Sequence, residues 1–95
     1  MAGWDLRLRF VDVTLSPASV AANTSAEEIF AVPGVRLDDT VIGVEKPTAQ
    51  AGLGIVGARV SSEGNIGITF GNFTGSAIVP TASQSYTFVL LVKQP

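Results

Sequence analysis

The residues in this chain whose spacing best suits catalysis or metal binding are two adjacent acidic pairs, Glu27-Glu28 and Asp38-Asp39. Paired carboxylates can act as acid and base on a glycoside or can bind calcium. Neighbouring residues of a strand point to opposite faces, which would keep Glu27 and Glu28 from acting together. With a third carboxylate the Asp38-Asp39 pair could bind calcium, but we interpret it as a solvated turn whose side chains bond to the local backbone.

Histidine and cysteine are both absent from the chain. Their absence removes the usual general base, the thiol nucleophile and the soft metal ligands. It also means that the fold must be stable without disulfides. We therefore expect no catalytic residue, no metal site and no cofactor, and we predict that the protein is not an enzyme.

Residues 52–57, GLGIVG, match the G-x-G-x-x-G pattern of dinucleotide-binding proteins. That pattern binds pyrophosphate only where it follows a strand and begins a helix. Here residues 58–61 have the composition of a strand, and Pro47 and Thr48 precede the glycines. We interpret the match as accidental.

Four residues could be involved with carbohydrate, two as sites of glycan attachment and two as a surface that binds a sugar. Asn23 and Asn72 each begin an N-x-S/T sequon, and Trp4 and Tyr86 are aromatic residues that could stack on a sugar ring. We interpret the asparagines as turn residues and the two aromatic residues as core or interface anchors.

The composition is unusual for a chain of 95 residues, because 46% of them are hydrophobic and only 15% are charged. An ordinary soluble domain has about 25% charged residues, and a chain this short buries only about 60% of its unfolded surface when it folds alone. We therefore expect much of the apolar surface to contact neighbouring subunits.

The charges and apolar runs exclude several kinds of partner. The six basic residues are scattered along the chain, so they predict no nucleic-acid interface. No apolar run approaches the ~20 residues needed to span a bilayer, so we expect no membrane as a partner. The first seven residues lack the pattern of a secretory signal, and we expect a soluble protein made in the cytoplasm.

Apolar residues recur with a period of two in short runs separated by turn residues, which is typical of a β protein. The predicted strands lie at residues 4–15, 26–32, 40–46, 53–60, 66–70, 77–79 and 85–93. About seven short strands without βαβ alternation predict one all-β domain over residues 1–95, an antiparallel β-sandwich or a jelly-roll-like barrel.

Three of these segments carry finer predictions. Residues 26–32 are predicted as a strand, with a short helix as the alternative because Thr24 or Ser25 could begin a capping box. Residues 53–60 place Val56, Ala58 and Val60 on one face, and a turn at residues 61–65 predicts a hairpin with the next strand. The last strand is apolar on both faces, so it is predicted to be central or covered by a partner.

The first strand changes its pattern between Phe10 and Val11. Before this point the apolar residues are Trp4, Leu6, Leu8 and Phe10; after it they are Val11, Val13 and Leu15. The change predicts a bulge or a bend between sheets, or else a separate N-terminal arm or edge strand at residues 1–10. We predict the first four of these residues as an assembly interface, with packing against the domain's own core as the alternative.

The chain resembles small structural proteins of tailed bacteriophages over residues 11–92. The resemblance is carried by KPTAQAGLGIVGARVS at residues 46–61 and IGITFGNFT at residues 66–74. It also includes VTLSPASVAANT at residues 13–24, IVP at residues 78–80 and YTF at residues 86–88. These motifs consist of turn and strand residues and identify no chemistry.

The resemblance implies a non-enzymatic virion component, made in the host cytoplasm, of the head decoration or cement type. It implies binding to the major capsid protein and to sister copies, in a homo-oligomer for which we expect a trimer rather than a dimer. A receptor- or carbohydrate-binding β-sandwich module of the tail or fibre is the alternative.

Overall fold

The computed structural model describes residues 5–94, which form antiparallel β-strands joined by turns and loops. No helix occurs in this part of the chain. The strands are β1 (Asp5–Leu15), β2 (Thr24–Ala31), β3 (Thr40–Glu45), β4 (Leu53–Ser62), β5 (Asn65–Asn72) and β6 (Gln84–Gln94). They form two three-stranded sheets, one in the order β1-β6-β3 and the other in the order β2-β5-β4. The predicted all-β, antiparallel class is confirmed.

Residues 5–94 contain six strands, one fewer than the sequence predicted. The segment predicted as a strand at residues 77–79 forms only an isolated bridge, in which Val20 and Ile78 exchange backbone hydrogen bonds of 2.8 and 3.0 Å. Pro80 follows and has no N–H group with which to extend the pairing. At residues 26–32 the strand is confirmed and the helical alternative is wrong, because β2 covers most of the segment.

One cluster of buried hydrophobic residues takes side chains from both sheets. The middle strands contribute most of it, with Ile66, Ile68 and Phe70 from β5 and Tyr86, Phe88 and Leu90 from β6. Burial of each such side chain stabilises the folded state by roughly 1.5–3 kcal/mol. The prediction that the last strand is central is confirmed, because β6 lies between β1 and β3.

The pattern change in β1 is not caused by a bulge. β1 pairs with β6 without a register shift from Asp5 opposite Gln94 to Leu15 opposite Gln84. Alternation therefore continues, and Phe10 lies on the face opposite to Val11. The prediction of a bulge or a bend was wrong. Up to Phe10 the apolar residues lie on the outer face of the strand, and from Val11 onward they lie on the core face.

Register shifts typical of β-bulges occur instead in β3, between Val41 and Gly43, and twice in β4, between Ile55 and Gly57 and between Val60 and Ser62. The extra residue at the first shift in β4 is Val56, whose side chain is 62% exposed. Ala58 and Val60 pack against the core, so the prediction that Val56 shares their face was wrong. A bulge inserts one residue into the alternation and reverses the faces that follow it.

β4 and β5 form the predicted hairpin. Their pairing continues to Ser62 opposite Asn65, so the turn consists of Glu63 and Gly64 and is shorter than the sequence indicated. Gly64 has a φ of 79°, a conformation that side chains other than glycine rarely adopt.

An ion pair crosses the outer face of the second sheet above Gly67. Arg59 of β4 donates two hydrogen bonds to the Glu27 carboxylate of β2, at 2.8 and 2.9 Å, across the middle strand β5. Hydrogen bonding from Arg59 lowers the pKa of Glu27. A β-carbon at Gly67 would overlap the Glu27 carboxylate, so glycine leaves the space that the ion pair occupies.

Replacement of Gly67 by alanine is therefore expected to displace the Glu27 carboxylate and to raise its pKa toward the ordinary value. Gly57→Ala is the matched control, because a β-carbon there would meet no atom within 4 Å. The Glu27 pKa would be measured by NMR titration of the side-chain carboxyl carbon. An unchanged Glu27 pKa in Gly67→Ala would contradict this account of the glycine.

Candidate interaction surface

The candidate site is built on the paired ends of the first and last strands. Residues 5–10 of β1 pair with residues 89–94 of β6, from Asp5 opposite Gln94 to Phe10 opposite Val89. All six of these β1 residues are exposed. We call this two-stranded segment the terminal ribbon.

One face of the terminal ribbon is apolar except for Lys93, which lies opposite Leu6. Leu6, Leu8 and Phe10 are 56%, 56% and 67% exposed. Opposite residues of an antiparallel pair share a face, which places the half-buried Leu91 and Val89 beside Leu8 and Phe10. We call these five side chains the ribbon face. A contiguous row of exposed apolar side chains is typical of an interaction site.

The other face of the ribbon carries two arginines. Arg7 lies opposite Val92 and Arg9 lies opposite Leu90, and both arginines are exposed. Arg9 Nη1 donates a 3.1 Å hydrogen bond to the Gly34 carbonyl oxygen, which connects the ribbon to the loop that follows β2. The strand thus alternates apolar and basic residues between its two faces.

The outer edge of β1 is open. Among residues 5–94 the only strand beside β1 is β6, so the backbone groups on its other edge are available to pair with another chain. β1 is 11 residues long, whereas natural edge strands are often kept short to prevent such pairing. The open edge and the ribbon face together form a surface on which a further strand could be added.

Three of the four residues predicted as an interface lie together on the ribbon face. Leu6, Leu8 and Phe10 are exposed, so the alternative that they pack against the domain's own core is wrong. The core side of β1 is occupied instead by Val11, Val13 and Leu15. Trp4 lies outside the described residues.

The acidic pairs have structural roles in this molecule. Glu27 bonds to Arg59, and Glu28 Oε1 accepts a 2.8 Å hydrogen bond from the Ala18 N–H, so the two carboxylates have separate partners. Asp39 accepts a 2.9 Å hydrogen bond from the Arg36 N–H, which confirms a local backbone contact, although Asp39 is buried and not solvated. No group of three or more His, Cys, Asp or Glu side chains suited to a metal occurs within residues 5–94.

The glycine-rich segment at residues 52–57 begins a strand. β4 starts at Leu53, so no helix N terminus follows that could bind pyrophosphate. Gly52 has a φ of 79°, and its carbonyl oxygen accepts a 2.8 Å hydrogen bond from the Phe73 N–H. The interpretation of the motif as accidental agrees with this geometry.

Asn72 connects three segments of the chain, a role that the sequence analysis missed. It is 1% exposed, and its Nδ2 donates to the carbonyl oxygens of Val20 and Ser76 at 3.0 and 2.8 Å. Its Oδ1 accepts hydrogen bonds from the N–H and the hydroxyl of Thr74. The neighbouring Phe73 is 75% exposed beside an open pocket of about 390 Å³.

Tyr86 is fully buried and cannot form the sugar-stacking platform that was considered with Trp4. Its hydroxyl has no hydrogen-bond partner among the described residues. Burial raises the pKa of the Tyr86 phenol, and the negative charge of Glu28 acts in the same direction. Ionisation of this phenol is therefore less favourable in the folded chain than in the unfolded chain.

The folded state should consequently lose stability in alkaline solution. A raised phenol pKa means that the folded chain holds its proton while the unfolded chain releases it, so the free energy of unfolding should decrease as the pH rises above about 10. Tyr86→Phe is expected to remove this part of the decrease and to change stability at pH 7 by less than about 1 kcal/mol. Urea unfolding at several pH values would measure both effects, and an equal alkaline loss in the two proteins would contradict the assignment to Tyr86.

Comparison of the chain with protein-family models, with curated proteins and with solved structures finds no match. The resemblance to phage structural proteins therefore stays a hypothesis. Residues 5–94 contain no helix of the length and apolar character needed to cross a membrane.

Proposed function

We propose that this chain is a non-enzymatic structural protein of a virus particle, a decoration or cement protein that binds the outer surface of a tailed-bacteriophage capsid. Its partners would be the major capsid protein and sister copies of itself, with a trimer favoured over a dimer. The resemblance at residues 46–61 and 66–74 supports the choice of a phage particle.

The observation that carries the assembly role is the ribbon face on an open strand edge. Leu6, Leu8 and Phe10 remain more than half exposed although the chain has a buried core in which to place apolar residues. Burial of what remains exposed would contribute about 1 kcal/mol for each of these side chains. That is the arrangement expected of a small subunit that gains part of its stability from its neighbours.

For the architecture we propose a β-sandwich in which the two three-stranded sheets pack face to face. The shared cluster supports it, because Phe70 and Ile68 come from one sheet whereas Phe88 and Leu90 come from the other. Such a compact scaffold would present the terminal ribbon to a capsid without any catalytic group.

The proposed mechanism is additive stabilisation of the shell. Each copy would bind neighbouring capsid subunits weakly, and many copies together would raise the free energy needed to open the shell against packaged DNA. Binding to the assembled shell but not to separated subunits would shift the equilibrium toward the closed particle.

The proposal predicts a high copy number that depends on the ribbon face. Quantitative mass spectrometry of gradient-purified virions should give a ratio to the major capsid protein of one or a simple fraction. A chain with Leu6, Leu8 and Phe10 all replaced by serine should fold normally, because exposed positions change stability by only about 0.5 kcal/mol each, but should be lost from the particles.

The control replaces Leu37 and Val79 by serine, because both are 59% exposed but lie outside the terminal ribbon. This control protein should stay on the particles at the normal ratio. Loss of both proteins to the same extent, or absence of the unmodified chain from virions, would contradict the proposal.

A second candidate function is a receptor- or carbohydrate-binding module of the tail or fibre. The exposed Phe73 ring favours it, because its pocket is also lined by the polar residues Asn23, Thr24 and Ser25. An aromatic ring beside polar groups can stack on a sugar while its neighbours bond to the hydroxyl groups. A few copies per virion, together with glycan binding that Phe73→Ala abolishes, would favour this function over decoration.

A further inference from the structure

We propose that the open edge of β1 in the terminal ribbon binds an extended, acidic segment of a partner protein as an added strand. This inference rests on the proposed function, because it specifies the chemistry of the partner at the same surface. The added strand would extend the sheet to four strands, with the partner beside β1.

The backbone of the terminal ribbon is suited to strand addition. The pairing of β1 with β6 is regular throughout residues 5–10, so the opposite edge of β1 presents its N–H and C=O groups at regular spacing. An incoming strand would bond to these groups and place alternate side chains on each face. Its apolar residues would lie beside Leu6 and Leu8, and the residues between them would lie beside Arg7 and Arg9.

The charge distribution selects an acidic partner. The terminal ribbon contains Arg7, Arg9 and Lys93 against Asp5 alone, a formal charge of +2. The whole chain has a charge of −2, which leaves −4 on the other residues. The ribbon is thus a basic end on an acidic molecule, and opposite charges across a strand pair are favourable whereas like charges are not.

Two other occupants fit this surface less well. A lipid surface could accept the apolar and basic side chains, but it offers no hydrogen-bond partner for the backbone groups on the open edge, which is unfavourable in hydrocarbon. Pairing of β1 with β1 of a second copy would satisfy the backbone but would bring two ribbons of charge +2 together. A strand with alternating acidic and apolar residues satisfies backbone, apolar face and charge together.

The probe for this proposal is a short peptide with alternating valine and glutamate, added to the full chain and observed by NMR. We expect chemical-shift changes confined to the terminal ribbon and slower exchange of alternate amide hydrogens in residues 5–10. The same peptide with lysine in place of glutamate should bind about tenfold more weakly. A protein with Arg7→Glu and Arg9→Glu should prefer the lysine peptide, whereas the control Arg36→Glu should keep the preference for the glutamate peptide.

Several results would overturn the inference. Equal binding of the two peptides would show that charge does not select the partner. No binding of either peptide would show that the open edge does not accept an added strand. Binding of vesicles of anionic phospholipid, but not of the peptide, would indicate that a membrane occupies this surface. Self-association with protected β1 amides would indicate that a second copy of the chain occupies it. If the Arg7→Glu, Arg9→Glu protein still joined virions at the normal ratio, the inference would fail while the proposed function would stand.

Discussion

The continuous antiparallel pairing of β1 with β6 is the interaction on which the rest of the molecule depends. It runs without a register shift from the core at Leu15 to the far end at Asp5. Side chains keep the same alternation along the strand, so Val11 and Val13 reach the core while Leu8 and Phe10 point away from it. A single inserted residue would exchange the two faces, and the apolar row would lose its position on the outer side.

The apolar residues of the two sheets lie in two places, a buried core and an exposed surface. β5 and β6, each in the middle of its sheet, provide most of the buried side chains. The other strands lie at edges, and β1 continues beyond the part that packs on the core with a local charge opposite in sign to the total. The proposed assembly role and the proposed acidic partner both follow from this division, because each uses the part of β1 that the core leaves exposed.

Much of the fold was predictable from the sequence, because alternation and turn residues are local signals. They indicated the β class, the strand at residues 26–32, the β4–β5 hairpin and the central position of the last strand. The bulges at Ile42 and Val56 were not predictable, since they depend on how edge strands meet their neighbours. The same is true of the bridge at Ile78, where Pro80 limits the pairing.

The candidate site was predictable in part. The spacing of Leu6, Leu8 and Phe10 indicated a shared apolar face, but only the register with β6 established that this face is the outer one. The role of Asn72 was hidden, because its partners Val20 and Ser76 offer backbone carbonyl groups that no side-chain pattern reveals.

The most direct test of the central claim is hydrogen–deuterium exchange at residues 5–10, in the free protein and in the assembled particle. Amide hydrogens on the open edge of β1 should exchange rapidly in the free protein and become protected in the particle. Amide hydrogens bonded to β6 should be protected in both. Protection of both edges in the free protein, or an unchanged open edge in the particle, would contradict the claim that this strand is the assembly surface.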